Sequence, residues 1–441
     1  MSSTKENFME KQIKVVLLGA GNRADIYASV SLEFPEMLKV VGIVDPDPIR
    51  RNLIKEKYSI PDENTFECVE EFVKKDKFAD AVINGTMDHL HVKTSIPVLE
   101  KGYDLLLEKP FALSNEEVDA LLETARKYKN RVVICHVLRY TAFYKSIKNH
   151  ILNGDIGKII SIESCEHVNY HHMAVSFVRG KWRSEKLCFA PMLLAKSCHD
   201  TDIMLWLMGM ENAPKSVASF GSDFQFGKDK KPEGAGDRCM TDCPYVDECR
   251  FSAKANYLAA PRWKQYVWKS LEGRGELTEE MKEESLKTDN PYGLCAWNFE
   301  RDGNVDHQAV TVNFANGATG SFAMIGGAAK SERNIHIVGT HGEIKGTFED
   351  SHYVLRQMDP STALGYKETV YDLDVKGDKI GAMGAHGGGD VMLVIDFVEY
   401  MRGNEPSISC ATLEDSAISH RTVFAATKAR VEKRVVDIEN K

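Results

Sequence analysis

Residues 14–24, KVVLLGAGNRA, constrain the fold of this chain more than any other stretch. The apolar run Val15, Val16, Leu17, Leu18 stops at Gly19-Ala20-Gly21, and an amphipathic segment runs from Asn22 to Leu32. That order predicts a buried parallel strand, a tight turn and a helix. Gly19 permits the turn, Gly21 leaves the backbone bare for a pyrophosphate, and Ala24 lets helix and strand pack closely. The helix N-terminus adds unpaired N–H groups and a positive dipole end. A second apolar run, Val40 to Val44, ends at Asp45, where a carboxylate is placed to accept from ribose hydroxyls. Together these features predict a dinucleotide-binding unit.

Strand and helix patterns alternate as far as Val137, as in a parallel sheet covered on both faces. The strand 79–84 is followed by Gly85-Thr86-Met87-Asp88-His89-Leu90-His91, and the strand 103–107 runs into Glu108-Lys109-Pro110. Ser114-Asn115-Glu116-Glu117 reads as a capping box. A boundary is expected near Tyr140, giving an α/β Rossmann domain over 1–140. From 141 to 441 the period-two patterns at 159–167, 216–221, 306–314, 318–324, 334–339, 343–348 and 353–356 predict an α+β domain with a large, mostly antiparallel open sheet. A polar stretch, about 227–304, interrupts it. Its aromatic residues Tyr245, Phe251, Tyr257, Trp263, Tyr266 and Trp268 predict an ordered insertion with short helices of its own. Two helices, 390–402 and 413–435, are expected to finish the chain.

The net charge of -9 disfavours nucleic acid as a partner, and no apolar run is long enough to span a bilayer. The polar start of the chain lacks an export signal, so a cytoplasmic protein with reduced cysteines is expected.

Three groups of residues carry candidate chemistry. Lys109 ends a parallel strand, the edge where open α/β sheets bind ligands, and an ammonium beside a cationic nicotinamide is suited to relaying a proton. Lys196, His199 and Asp200 crowd the start of a helix that is otherwise IMLWLM, and His199 is the residue there that titrates near neutrality. Cys239, Cys243, Cys249 and Cys295 have the spacing C-x3-C-x5-C plus a distant fourth. Structural zinc and separate reduced thiols (or a redox pair) are equally compatible with it. His386-Gly387-Gly388-Gly389-Asp390 opens a helix without being a Walker loop. His307, between Asp306 and Gln308, is expected to serve packing.

The chain resembles the glucose–fructose oxidoreductase/inositol dehydrogenase family (Gfo/Idh/MocA). The resemblance rests on GAGNRA with Asp45, TMDHLH at 86–91, LLLEKPFALS at 105–114, VLRYTAFY from Val137 and RNIHIVGTHGEIKG from Arg333. It implies NAD or NADP held between two domains, and sheet-face contacts that make dimers or tetramers. By motif, Gly19, Gly21, Asn22 and Arg23 would hold the pyrophosphate and Asp45 the adenosine ribose. Thr86, Asp88 and His91 would follow the cofactor towards the nicotinamide. Glu108 and Lys109 would take the family's EKP roles, His199 that of its catalytic histidine, and Trp182 and Arg183 would border the substrate. Many members carry an Asp four residues before the histidine; Ala195 stands there here, with Lys196 next, so Asp200 or Asp202 would have to replace it. The implied function is hydride transfer from a sugar, polyol or related carbohydrate. The alternatives are glycoside cleavage with recycled NAD, or a non-catalytic sugar-responsive regulator, against which Lys109 and His199 argue.

Overall fold

The computed structural model describes residues 11–373 and 388–439. Residues 1–10, with the N-terminal segment read above, and His386 and Gly387 of the glycine-rich stretch lie outside the described residues. The chain divides into two compact units: residues 11–142 with 388–416, and 143–373 with 417–439.

The first unit is built on six parallel strands: β1 (Ile13–Leu18), β2 (Leu38–Val44), β3 (Thr65–Phe66), β4 (Ala81–Asn84), β5 (Asp104–Leu107) and β6 (Val132–Ile134), in the order β3-β2-β1-β4-β5-β6. The central strands are apolar on both faces because helices cover both. Val15, Leu17, Ala81, Ile83 and Leu106 pack in one core with Tyr27 and Ala28 of the helix Asn22–Glu33. The late helix Gly389–Met401 joins the same core through Val391, Leu393, Val394, Phe397 and Val398. Local chemistry sets the helix starts. Asp47 accepts from the Ile49 and Arg50 N–H groups before Pro48, and Ser114 accepts from Glu117 N–H while Glu117 reaches back to Leu113 N–H.

The second unit carries nine strands: β7 (Ile159–Asn169), β8 (Pro214–Ser222), β9 (His307–Phe314), β10 (Thr319–Ala328), β11 (Glu332–Gly339), β12 (Gly342–Thr347), β13 (His352–Met358), β14 (Tyr366–Asp372) and β15 (Val436–Asp437). Their order is β14-β13-β12-β11-β7-β10-β9-β8-β15, antiparallel except where β7 meets β10. The helix Cys198–Met208 is buried along its whole length and packs on β7. The stretch 227–304 is ordered. Val175, Tyr257, Val267, Trp268, Leu271 and Leu286 form a small core under it.

Candidate functional site

In the first unit the strand–turn–helix junction is shaped by close backbone approach. Gly19 has φ +93°, and a Cβ there would meet Gly85 O at 3.0 Å and Thr86 N at 3.1 Å. Gly85 in turn lies so near Ala24 that a Cβ on it would come within 2.9 Å of the Ala24 Cβ. The small residue at 24 is therefore demanded by the loop after β4. Gly21 caps the helix with no side-chain hydrogen bond, leaving first-turn N–H groups open to an anion.

Asp45 is held at the end of β2. Its Oδ2 accepts from Ala20 N–H (2.7 Å) and its Oδ1 from Asp47 N–H (2.8 Å). A carboxylate has about four acceptor positions, so each oxygen keeps capacity for a ribose hydroxyl. Arg51 donates to Asp45 O and pairs with Glu67 (3.3 Å), and Arg50 pairs with Asp47 (3.6 Å).

The EKP turn is tied into a buried network. Glu108 Oε1 accepts from Arg23 Nε (2.7 Å) and from the Tyr27 hydroxyl (2.7 Å), and Oε2 accepts from Lys109 N–H (2.6 Å). The second arm of Arg23 pairs with buried Asp390. Burial pushes the Glu108 carboxyl up, but the Arg23 and Lys109 charges outweigh it and hold it below the usual carboxylate range. The Arg23 side chain is thus spent on Glu108, Tyr27 and Asp390, and what it offers a phosphate is its backbone N–H beside Asn22. His91 is buried between two carbonyls, Pro110 O (2.7 Å) and Thr86 O (3.2 Å), and so joins the Thr86 and Lys109-Pro110 loops. Thr86 leans on Asn84 Oδ1 through its N–H (3.1 Å) and hydroxyl (2.8 Å). Asp88, nearly buried, opens the short turn 88–90. Lys109 itself is half-buried, across a cis bond to Pro110.

In the second unit, His199 and Asp200 lie in the first turn of the buried helix Cys198–Met208, whereas Lys196 precedes it, ending the short helix Met192–Ala195, and the structure adds two partners far away in the chain. Glu166 on β7 and Arg333 on β11 stand directly opposite each other in antiparallel register. Arg333 donates to Glu166, to Asp200 Oδ1 (2.9 Å) and to Glu349 (3.3 Å). Glu166 also accepts from Lys196 Nζ (2.5 Å) and the Ser197 hydroxyl (3.1 Å). Burial opposes charge on Glu166, yet Arg333 and Lys196 drive its carboxyl well below the usual range. Asp200 does the reverse: burial, then the Glu166 charge, push it up to about 7. Its Oδ2 meets no N–H or O–H donor among the described residues. One proton shared between the two carboxyls turns their repulsion into a hydrogen bond. Burial lowers Lys196 from its ordinary value, helped by Arg333.

His172 lies in reach of the Lys196, Glu166 and Arg333 charges and stacks on Trp263 (4.3 Å between ring centroids, 27°). Trp263 Nε1–H donates to His171 Nδ1 (3.0 Å). Tyr266 lies near Trp263 (6.1 Å) and Trp182 (6.3 Å), so the insertion supplies an aromatic wall running from His172 to Trp182. Arg183 covers Phe299 (5.3 Å) and donates to Gly180 O.

Glu166 and Arg333 escaped the sequence reading, yet a signal was there. On β7, Glu166 has the inward parity of Ile162 and Val168, and on β11 Arg333 has that of Ile335 and Ile337. A charged residue in core register needs a partner.

The oxidoreductase family's NAD-binding Rossmann fold (GFO_IDH_MocA) matches residues 13–136, and its C-terminal alpha/beta domain matches residues 148–438. The chain belongs to the Gfo/Idh/MocA oxidoreductase family. YteT of Bacillus subtilis, whose name places it among the oxidoreductases, is 26% identical over 395 residues, 87% of either chain. A scyllo-inositol 2-dehydrogenase (NAD(+)) of the same organism is 30% identical over 46% of this chain and 56% of its own. The structure of a levoglucosan dehydrogenase with NADH and levoglucosan superposes with a TM-score of 0.69 at 16% identity, covering 98% of this chain and 100% of that one. The six-stranded parallel sheet and the larger, mostly antiparallel one are the fold those structures share. Among the described residues no helix is long and apolar enough to cross a membrane.

Proposed function

We propose that this family member is an NAD-dependent dehydrogenase of a sugar, polyol or related carbohydrate. The observation that carries this reading is the buried charge cluster of Glu166, Asp200, Lys196 and Arg333 beside His199, which a regulator that only binds sugar does not require.

The roles follow from the chemistry of each group. The helix N-terminus at Gly21, Asn22 and Arg23 takes the pyrophosphate. A Cβ at position 21 would meet only Gly85 O, at an ordinary 3.5 Å, so what needs glycine there is a ligand and not the protein's own packing. Asp45 takes the adenosine ribose; since Arg51 is already occupied, a 2′-phosphate would face this carboxylate without a ready counter-charge. Thr86, Asp88 and His91 shape the path towards the nicotinamide, with Glu108 fixing the turn that carries Lys109. The bound nicotinamide supplies the hydride acceptor. His199 takes the hydroxyl proton of the substrate, and Lys109 steadies the oxygen as it becomes a carbonyl. Lys196 and Asp200 contact substrate and set the charge around His199, in the place of the aspartate missing at Ala195. Trp182 and Arg183 line its outer side. Copies of the chain pair through the open face of the nine-stranded sheet, where Phe220 is 72% and Ile325 40% exposed.

The test is a panel of sugars, sugar acids, inositols and aminosugars, read as absorbance at the reduced nicotinamide band with NAD and NADP in parallel. Turnover with NAD supports the reading. Substrate consumed without net NADH assigns the protein to the NAD-recycling class, and a preference for NADP overturns the role given to Asp45. Lys109→Ala removes most turnover and leaves the NADH dissociation constant within about twofold; unchanged turnover would falsify its role.

A further inference from the structure

His171 and His172 follow β7 closely, and one tryptophan of the insertion engages both. Trp263 donates from Nε1 to His171 Nδ1 (3.0 Å) and lays its ring on that of His172 (4.3 Å between centroids, 27° between planes). The backbone is bent to allow this. Trp263 has φ +60° and ψ +36°, a left-handed conformation that strains a bulky residue and persists only where the surroundings over-determine it.

The surroundings do so without a metal. Among the described residues no three Cys, His, Asp or Glu side chains gather closely enough to hold an ion. Cys239, Cys243, Cys249 and Cys295 are free thiols and do not make the zinc site that their spacing allowed. Hydrogen bonds tie the segment after His172 to the insertion instead. Fully buried Arg179 donates to Leu294 O (2.8 Å) and Phe251 O (2.8 Å), Arg301 donates to Phe177 O, and Asn304 donates to Trp182 O (2.8 Å). Trp263 itself packs against the small core of the insertion.

This leaves His172 with an unclaimed edge. Its backbone N–H is capped by Asn169 Oδ1 (2.8 Å), and Trp263 and Phe177 (5.9 Å) pack against its ring. Neither ring nitrogen has a hydrogen-bond partner among the described residues, and neither is sealed from solvent. Burial, followed by the Lys196 charge, holds the imidazole well below its ordinary value, so at neutral pH it keeps one N–H donor and one acceptor nitrogen. Either function suits a hydroxyl, which both donates and accepts. The same ring lies within electrostatic reach of Lys196, Glu166 and Arg333, so a molecule seated at that cluster is the one within its range. The next residues, Met173–Val178, coil as a π-helix, a rare form that recurs at functional sites.

We propose that His172 is a substrate-binding residue: its imidazole edge takes one ring hydroxyl of the carbohydrate held at Lys196 and Asp200, in the orientation that Trp263 fixes. The inference rests on the dehydrogenase reading above and deepens it. Through Trp263, the insertion decides which pattern of hydroxyls is admitted.

The full chain is assayed with NAD on the member of the carbohydrate panel with the highest kcat/KM and on the monodeoxy derivatives of that compound. His172→Ala is expected to raise KM about 10–100-fold, with kcat changed less than about threefold and the NADH dissociation constant within about twofold. In the unaltered chain one deoxy derivative loses by the same factor. His172→Ala turns over that derivative and its parent alike, which a packing role would not produce. Trp263→Ala gives a similar loss and adds little on top of His172→Ala, and Trp263→Phe, which keeps a ring to stack, gives a smaller one. An unchanged KM in His172→Ala, or the same discrimination among deoxy derivatives in variant and unaltered chain, overturns the inference and leaves the dehydrogenase reading standing. No turnover of any panel member by the unaltered chain removes both. Should the alanine variants not fold, the unaltered chain labelled with 5-fluorotryptophan decides. Substrate added to its NADH complex shifts the fluorine resonance that Trp263→Phe lacks, and a resonance that stays put overturns the inference.

Discussion

Each unit buries a glutamate against a guanidinium, and the two sites behave in opposite ways. Glu108 in the first unit faces Arg23, Tyr27 and its own neighbour Lys109, and is held below the usual carboxylate range. Glu166 in the second unit is held low as well, but with Asp200 beside it as a second carboxyl that keeps its proton up to about 7. Arg23 serves two carboxylates, Glu108 through Nε and Asp390 through Nη2, just as Arg333 serves Asp200 through Nε and Glu166 through Nη2. The contrast is one of crowding. Where a carboxylate answers a guanidinium, a lysine and a tyrosine hydroxyl, the result is a brace held below the usual carboxylate range; where a second carboxyl stands beside it, that second one is pushed up to about 7. The first kind suits a scaffold that must not change when a dinucleotide comes and goes. The second suits a place where a proton is handed on.

Four substitutions press on that contrast, the largest effect first. His199→Ala is expected to lower kcat by about 10²–10⁴-fold while NADH affinity, measured by fluorescence titration, stays put; a loss of cofactor binding would place His199 in the wrong role. Glu166→Gln leaves Arg333 and Lys196 short of a charge and costs about 3–5 kcal/mol of stability. It also moves the limb of the kcat–pH profile that lies near 7 downward by at least about one unit, because Asp200 no longer faces a neighbouring negative charge. Glu108→Gln should cost about 1–3 kcal/mol at neutral pH by urea unfolding. Its sign with pH is fixed. A depressed carboxyl stabilises above the ordinary carboxylate range and loses that contribution as pH falls through its folded value, so the gap between variant and wild type closes in acid. Asp200→Asn gives the smallest effect and the opposite slope. A raised carboxyl favours the folded chain below the ordinary range, and that contribution is lost as pH rises to about 7. The asparagine, which cannot ionise, therefore gains on wild type across this window, and parallel slopes for the two variants would erase the distinction.

How much of this was written in the primary structure differs between the same two regions. In the first unit the signals are local: GAGNRA, Asp45 and the EKP turn each sit at the end of an apolar run, and a period-two or helical pattern is enough to place them. The side-chain destination of Arg23 was not legible, since Asp390 lies hundreds of positions downstream and reaches Tyr27 and Arg23 only through the late helix Gly389–Met401. In the second unit the helix bearing His199 and Asp200, with Lys196 just before it, was marked by its misplaced polar residues. Their partners were not, because cross-strand register is a tertiary fact; only the inward parity of Glu166 and Arg333 hinted at it. β14 and β15 were missed for a plainer reason. Tyr366–Asp372 is mostly polar on both faces and Val436–Asp437 is too short for alternation to show.

The edges of the insertion have one more implication. Ser222 at the end of β8 stands opposite His307 at the start of β9, and Asp306 N–H closes onto Ser222 O at 3.1 Å. The excursion between them thus leaves and re-enters at a single hairpin mouth. A longer or shorter excursion, or one with other aromatic residues, would close the same mouth and leave the pairing of β8 with β9 as it stands.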